Sequence, residues 1–181
     1  MQELSPDLVS PELSPEQRAQ QAAELFQSAY RLQSMGMEHE AVEMFQRSIE
    51  IRPTAEAHTY LGRAYRIQGK LQEAMTECKT AIEIDPQFGN PHNDLGAYLV
   101  DEGKFGESIP PLERALGCSR YATPQYAWYN LGRAYLGLGE LSLARACLRQ
   151  AVKIAPDYKL ALESIRRVQE LIQARNRAVL G

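Results

Sequence analysis

Apolar residues along this chain recur at intervals of three, four and seven, the spacing that gathers one face of a helix. The clearest case runs from Trp128 to Tyr135, where Trp128, Leu131, Gly132 and Tyr135 share a face. Gly132 has no side chain, so a second helix can approach closely there. Ala144 keeps the facing surface small and Leu148 carries the larger apolar contact. Pro156, without a backbone donor, ends that second helix. The stretch predicts an antiparallel helix hairpin.

The pattern repeats upstream. Leu61-Gly62, Leu95-Gly96 and Leu131-Gly132 place their glycines 34 and 36 residues apart. One hairpin carries Tyr65, Gly69, Ala74, Cys78, Ala81 and Pro86; the next carries Leu99, Gly103, Ser108, Leu112 and Ala115. The latter lacks its closing proline, and Gly117 to Pro124 makes a connection two residues longer. Further upstream, Ala41, Phe45 and Pro53 match the second half of a unit, with Gly36 at its turn. Leu25, Ser28, Ala29 and Leu32 stand in its degenerate first half. After Asp157, Leu160, Ile165, Val168, Leu171 and Ile172 form a last stripe interleaved with Arg166, Arg167 and Glu170, expected to be a single cap with a polar face.

Trp128, Leu131-Gly132, Tyr135, Ala144, Leu148 and Pro156 together resemble the tetratricopeptide repeat, whose period is 34; Leu148 stands where that pattern has Phe. The resemblance covers residues 22–178. It implies an all-α fold, an α-solenoid of antiparallel helix pairs wound into a right-handed superhelix with a concave groove. Repeats are expected at about 22–54, 55–88, 89–124 and 125–158, with a capping helix at about 159–178. The repeat domain is expected over 15–178, behind a flexible tail, residues 1–14, rich in Ser-Pro pairs. Ser14, Pro15 and Gln17 read as an N-cap, a first helical position and the return partner of a capping box.

Lys plus Arg number 20 against 23 Asp plus Glu, a net charge of −3, so no basic excess points to nucleic acid. Apolar runs such as Ala97 to Val100 are far shorter than the roughly 18 residues that cross a bilayer. No basic segment leads into an apolar core near Met1, so no signal peptide is expected and the compartment expected is the cytoplasm. A leader removed upstream would instead give a periplasmic or lipid-anchored form. The three cysteines, Cys78, Cys118 and Cys147, are odd in number and show no CxxC pairing, which favours a reducing compartment. Cys78 replaces the usual Phe of its repeat and is expected to be a small buried apolar residue.

In the resembling family, the side of each first helix turned away from packing lines the groove. Here that face holds Tyr60, Arg63 and Arg66, then Asn90, Asn93 and Asp94, then Tyr126, Tyr129, Asn130 and Arg133. Thr59 falls on it too, and Phe26, Gln27, Tyr30 and Gln33 are the first-repeat counterparts. Asn90, Asn93 and Asn130 can donate to and accept from a peptide backbone. Arg63, Arg66 and Arg133 can grip carboxylates with paired bonds. Tyr60, Tyr126 and Tyr129 supply flat apolar area with a polar tip. The expectation is a non-catalytic adaptor without cofactor, whose groove binds a protein or peptide segment bearing acidic side chains or a free C-terminus. The alternative for the same residues is a solvated helix face.

One subgroup of the family clamps chaperone C-termini with Lys and Asn in its first repeat; here those places hold Phe26 and Tyr30, and Asn90 and Asp94 stand where its third repeat has basic residues. That clamp is not expected. As an enzyme the chain offers little: His58 and His92 occupy one place in neighbouring repeats, but a metal wants more converging ligands. Cys118 has no histidine placed beside it, and no nucleophile-elbow, Walker or dinucleotide motif occurs. The third and fourth repeats, with the Tyr121 connection leading into Asn130-Leu131-Gly132, also resemble lipoproteins that assist type IV pilus secretin assembly, although the lipid-anchoring Cys of that group is not seen near Met1. Leu160, Ile165 and Leu171 offer a terminal surface for self-association.

Overall fold

The structure is a computed structural model and describes residues 13–180, with side chains through Ala178. The tail expected over 1–14 lies, apart from Leu13 and Ser14, outside the described residues. Among the described residues the elements are helices: α1 (Pro15–Ser34), α2 (Glu38–Ile51), α3 (Ala55–Ile67), α4 (Leu71–Ile84), α5 (Gly89–Asp101), α6 (Phe105–Leu116), α7 (Pro124–Gly137), α8 (Leu141–Ile154) and α9 (Lys159–Leu180). The fold is an all-α solenoid of antiparallel helix pairs. None of the described helices is long and apolar enough to cross a membrane. Two compact units are present, one ending at Pro53 and one beginning at Thr54.

The first unit is the α1/α2 hairpin. Its start is the capping box: Ser14 Oγ accepts from the Gln17 amide at 3.2 Å, and Gln17 Oε1 accepts from the Ser14 amide at 2.8 Å. Gly36 turns the chain with a positive φ of 76°, a region that costs a Cβ-bearing residue. Ala29, Ala41 and Phe45 are fully buried between the helices, and the Phe26 ring meets Phe45 with centroids 5.6 Å apart. Ser48 Oγ donates to the Ala22 carbonyl at 2.8 Å and is thereby satisfied inside the core.

The second unit stacks the hairpins α3/α4, α5/α6 and α7/α8, and α9 lies on α8. Its three glycine slots explain the close helix pairing. A Cβ at Gly132 would sit 2.6 Å from Leu148 Cγ, one at Gly96 would sit 2.4 Å from Leu112 Cγ, and one at Gly62 would sit 3.0 Å from the Ala74 carbonyl oxygen. The residues opposite, Ala74, Ser108 and Ala144, are fully buried, as are Cys78, Leu112 and Leu148. Cys78 therefore fills the place expected of it. Helix α6 keeps its form although Pro110 and Pro111 lie inside it, each removing an intrahelical donor. Its strongly one-sided apolar face, with Leu112 and Ala115 buried, offsets that loss. In α9, Ala161 and Val168 are fully buried against the α8 core, whereas Leu160 and Leu171 are exposed. The expected stripe is thus narrower than its sequence, because α9 has one neighbouring helix to bury against.

Candidate functional site

The first helices α3, α5 and α7 of the second unit present adjacent faces, and these faces with two connections enclose a pocket of about 430 Å³. Tyr60 and Arg63 come from α3; Asn90, Asn93 and Asp94 from α5; Tyr126, Tyr129 and Asn130 from α7. Tyr121 and Thr123 enter from the α6–α7 connection, and Tyr158 from the α8–α9 connection.

The longer α6–α7 connection is what brings Tyr121 in. The Gly89 amide donates to the Arg120 carbonyl and the Arg120 amide donates to the Gln87 carbonyl, each at 3.0 Å, so this connection pairs with the one between α4 and α5. The Arg120 guanidinium fixes the join by donating to Glu56 at 2.5 Å and to Asp85. Gly89 is required here, since a Cβ would lie 2.4 Å from Tyr121 Cβ. Burial pushes the Tyr121 phenol well above its usual range. Its hydroxyl is buried and has no hydrogen bond of ordinary geometry among the described residues, although the Thr123 side chain and Ala127 backbone are close to it.

A continuous run of polar contacts crosses the three helices. Arg63 Nε donates to Asp94 Oδ2 at 2.5 Å, and Asn93 Nδ2 donates to Asp94 Oδ1 at 3.2 Å. Asn130 Nδ2 donates to Asn93 Oδ1 at 3.1 Å, and Arg133 Nη1 donates to Asn130 Oδ1 at 3.2 Å. Arg133 and Arg66 then close on the two oxygens of Asp101, at 2.7 and 2.6 Å. Burial works against the charge on Arg63, but the Asp94 carboxylate outweighs it and keeps the guanidinium firmly protonated. Burial likewise pushes the Asp101 carboxyl up, and Arg133 and Arg66 more than reverse it, holding Asp101 below the usual carboxylate range.

The aromatic side of the pocket centres on Tyr158. Its ring lies 5.6 Å from Tyr126, edge to face at 89°, and 5.1 Å from Tyr129, tilted by 58°. Burial, with the neighbouring Tyr129 and Tyr126, pushes the Tyr158 phenol up to about 12. Arg63 sits over the Tyr60 ring at 5.0 Å and Arg133 over Tyr129 at 5.9 Å.

The structure therefore gathers Tyr60, Arg63, Asn90, Asn93, Tyr126, Tyr129 and Asn130 around one pocket, with Arg66 and Arg133 beside it through Asp101. Three expectations change. The guanidiniums of Arg63, Arg66 and Arg133 are each engaged by Asp94 or Asp101 and do not stand ready for a ligand's carboxylate. Asn93 and Asn130 are buried and spent on each other, so they brace the helices. Thr59, expected on this face, is fully buried with its hydroxyl donating to the Ala55 carbonyl at 2.6 Å. Of the histidines, His58 Nδ1 lies 2.6 Å from Glu77 and His92 Nε2 lies 3.3 Å from the Pro86 carbonyl. Periodicity gave no hint of Tyr121 and Tyr158, which sit in connections.

Against known families, the model of the tetratricopeptide repeat matches residues 126–158, and a second TPR repeat model matches residues 62–103. The chain belongs to the tetratricopeptide-repeat family. An uncharacterised protein of Haemophilus influenzae is 30% identical over 64 residues, 35% of this chain and 36% of that protein. The chain thus spans about a third of that relative's length. Among solved structures it is similar to PilW, a widely conserved type IV pilus biogenesis factor, at 21% identity and a TM-score of 0.78, covering 83% of this chain and 69% of that one. It is also similar to Pseudomonas aeruginosa pilF, at 18% identity and a TM-score of 0.80, over 88% and 71%. YrrB, a TPR protein with an unusual peptide-binding site, is similar at 20% identity and a TM-score of 0.67, over 83% and 77%. At these identities the solved structures speak for the fold alone.

Proposed function

We propose that this protein is a non-catalytic adaptor that docks a segment of a partner protein against the first-helix face of α3, α5 and α7. The observation that carries the reading is the pocket itself, which combines tyrosine rings with an uncommitted amide. Among the described residues nothing hydrogen-bonds the half-buried Asn90 side chain. Its amide is free to donate to and accept from a peptide backbone. Tyr126, 44% exposed at the rim, supplies area of the kind that anchors interfaces. A short segment held this way is expected to bind in the micromolar range, on the order of −8 kcal/mol.

The test is a pull-down from source lysate read by mass spectrometry, with wild type beside an Asn90→Ala/Tyr126→Ala double variant whose helicity is checked first. A partner captured by wild type and lost from the variant supports the reading; a partner held equally by both refutes this face as the site. Neither residue is needed by the polar run across the helices. Charge reversal at Arg63 or Arg133 is the poorer choice, because it would break contacts with Asp94 and Asp101.

A second reading is an assembly factor for type IV pili, favoured by the similarity to PilW and pilF over most of the chain. It predicts that deleting the gene in the source organism abolishes surface piliation. Unaltered piliation refutes it.

A further inference from the structure

We infer that the Tyr126, Tyr129 and Tyr158 wall is an anchor site for one uncharged aromatic side chain in the partner's segment. The inference rests on the adaptor reading above and names what that face selects. Charge decides the first step. A carboxylate entering the pocket would have to displace Asp94 or Asp101, which already hold the three guanidiniums at 2.5 to 2.7 Å. An ammonium fares no better. Cations already lie over the Tyr60 and Tyr129 rings, and the acids beside them, Asp94 and Asp101, are already paired.

What remains uncommitted is neutral. Tyr126 is set edge to face on Tyr158, and Tyr129 is tilted against it, so the three rings do not stack flat on one another. Aromatic groups prefer this edge-to-face and offset geometry, and a further ring extends such a set more favourably than an aliphatic group of similar area. The half-buried Tyr158 phenol stays protonated far above neutral pH, which keeps its part of the wall uncharged. Asn90 lines the same pocket and can bond the backbone flanking the inserted ring. The volume of about 430 Å³ falls within the roughly 300–1,000 Å³ of small-ligand sites, room for a side chain with its adjoining backbone.

The test is an NMR titration of the full chain with four probes: the N-acetyl amides of phenylalanine, leucine, glutamate and lysine. The phenylalanine probe is expected to shift signals of Tyr126, Tyr129 and Asn90, with a Kd on the order of millimolar. The leucine probe should bind about fivefold more weakly, and the charged probes more weakly still. Tyr126→Ala removes the outermost ring and should weaken the phenylalanine probe about fivefold with the helical signal unchanged. Tyr158→Phe, which keeps the ring, should retain binding.

The inference is overturned if the glutamate or lysine probe binds as tightly as phenylalanine. Shifts confined to another surface, or no shifts with any probe at tens of millimolar, overturn it equally, as does an indifferent Tyr126→Ala. If partner capture depends on Asn90 and Tyr126 while the phenylalanine probe fails, this inference falls and the adaptor reading stands. If the probe binds here and capture ignores both residues, the adaptor reading falls.

Discussion

Replacing Gly132 by alanine puts a methyl group where α7 and α8 run closest. The new Cβ would lie 2.6 Å from Leu148 Cγ, 2.7 Å from Leu148 Cδ2 and 3.4 Å from the Ala144 carbonyl oxygen. Leu148 is fully buried and cannot swing into solvent, so the helices must part or the side chain must leave its rotamer. Overpacking of this kind costs about 1–3 kcal/mol. Alanine's better helix propensity offsets about 1 kcal/mol of that. The net expectation is a loss of about 0–2 kcal/mol, against a gain in the control. Gly106 supplies the control: it too lies in a helix, and a Cβ there meets nothing within 4 Å. Gly106→Ala should therefore stabilise by about 0.5–1 kcal/mol. The assay is urea unfolding followed by Trp128 fluorescence, because that ring packs against the clusters of both Leu148 and Leu131 and so reports on the site of the change. Leu148→Ala alone should cost about 2–5 kcal/mol. Combined with Gly132→Ala it should cost at least about 1 kcal/mol less than the sum, since the added methyl occupies vacated space. A Gly132→Ala protein as stable as Gly106→Ala, or a strictly additive double variant, would refute the argument.

Two further predictions concern titration. The Asp101 carboxyl, held low in the folded state, contributes stability that is present above its unfolded pKa, near 4, and is lost as pH falls through the lower folded value. Asp101→Asn should accordingly cost about 1 kcal/mol at neutral pH, a figure kept small because the pair is partly solvated, and denaturation curves of the two proteins should converge in acid. The Tyr158 phenol, raised to about 12 from about 10 in an unfolded chain, keeps its proton longer when folded, so stability falls as pH rises from about 10 to about 12. Tyr158→Phe should flatten that fall and remove one late phenolate step from the ultraviolet titration; an unchanged titration would mean that the ring is not buried against Tyr126 and Tyr129.

The helical framework was legible because its signals are local and redundant. Gly62, Gly96 and Gly132 each mark a close approach that the facing helix confirms, and Cys78 sits where a smaller apolar residue was called for. The same spacing rules overstate α9, since a stripe records which residues can be buried and not how many neighbours are present to bury them; Leu160 and Leu171 point away from the one neighbour available. Helical periodicity is silent in connections, and there the site gained Tyr121 and Tyr158. The first of these had a trace in the sequence: a connection two residues too long, ending near a glycine-initiated helix, leaves room for a side chain to turn back onto Gly89.

The pairing of the groove charges has a trace in the sequence as well. Arg63 pairs with Asp94, 31 residues on; Arg66 pairs with Asp101, 35 residues on; Arg133 pairs with Asp101, 32 residues back. All three separations lie within three of the 34-residue period. Stacked first helices are offset by one period, so an acid near that distance from a base faces it across the helix interface. A groove cation in a solenoid is therefore available to a ligand only after its counterparts one period away have been counted. Asp94 and Asp101 cancel much of the charge that Arg63, Arg66 and Arg133 bring, and they do so at geometry a flexible ligand would have to match. On the proposed adaptor reading, recognition at this face is left to rings and amides, groups whose binding depends little on salt. Partner capture that survives high ionic strength fits that reasoning; capture that collapses with salt would mean the Asp pairs yield to the ligand after all.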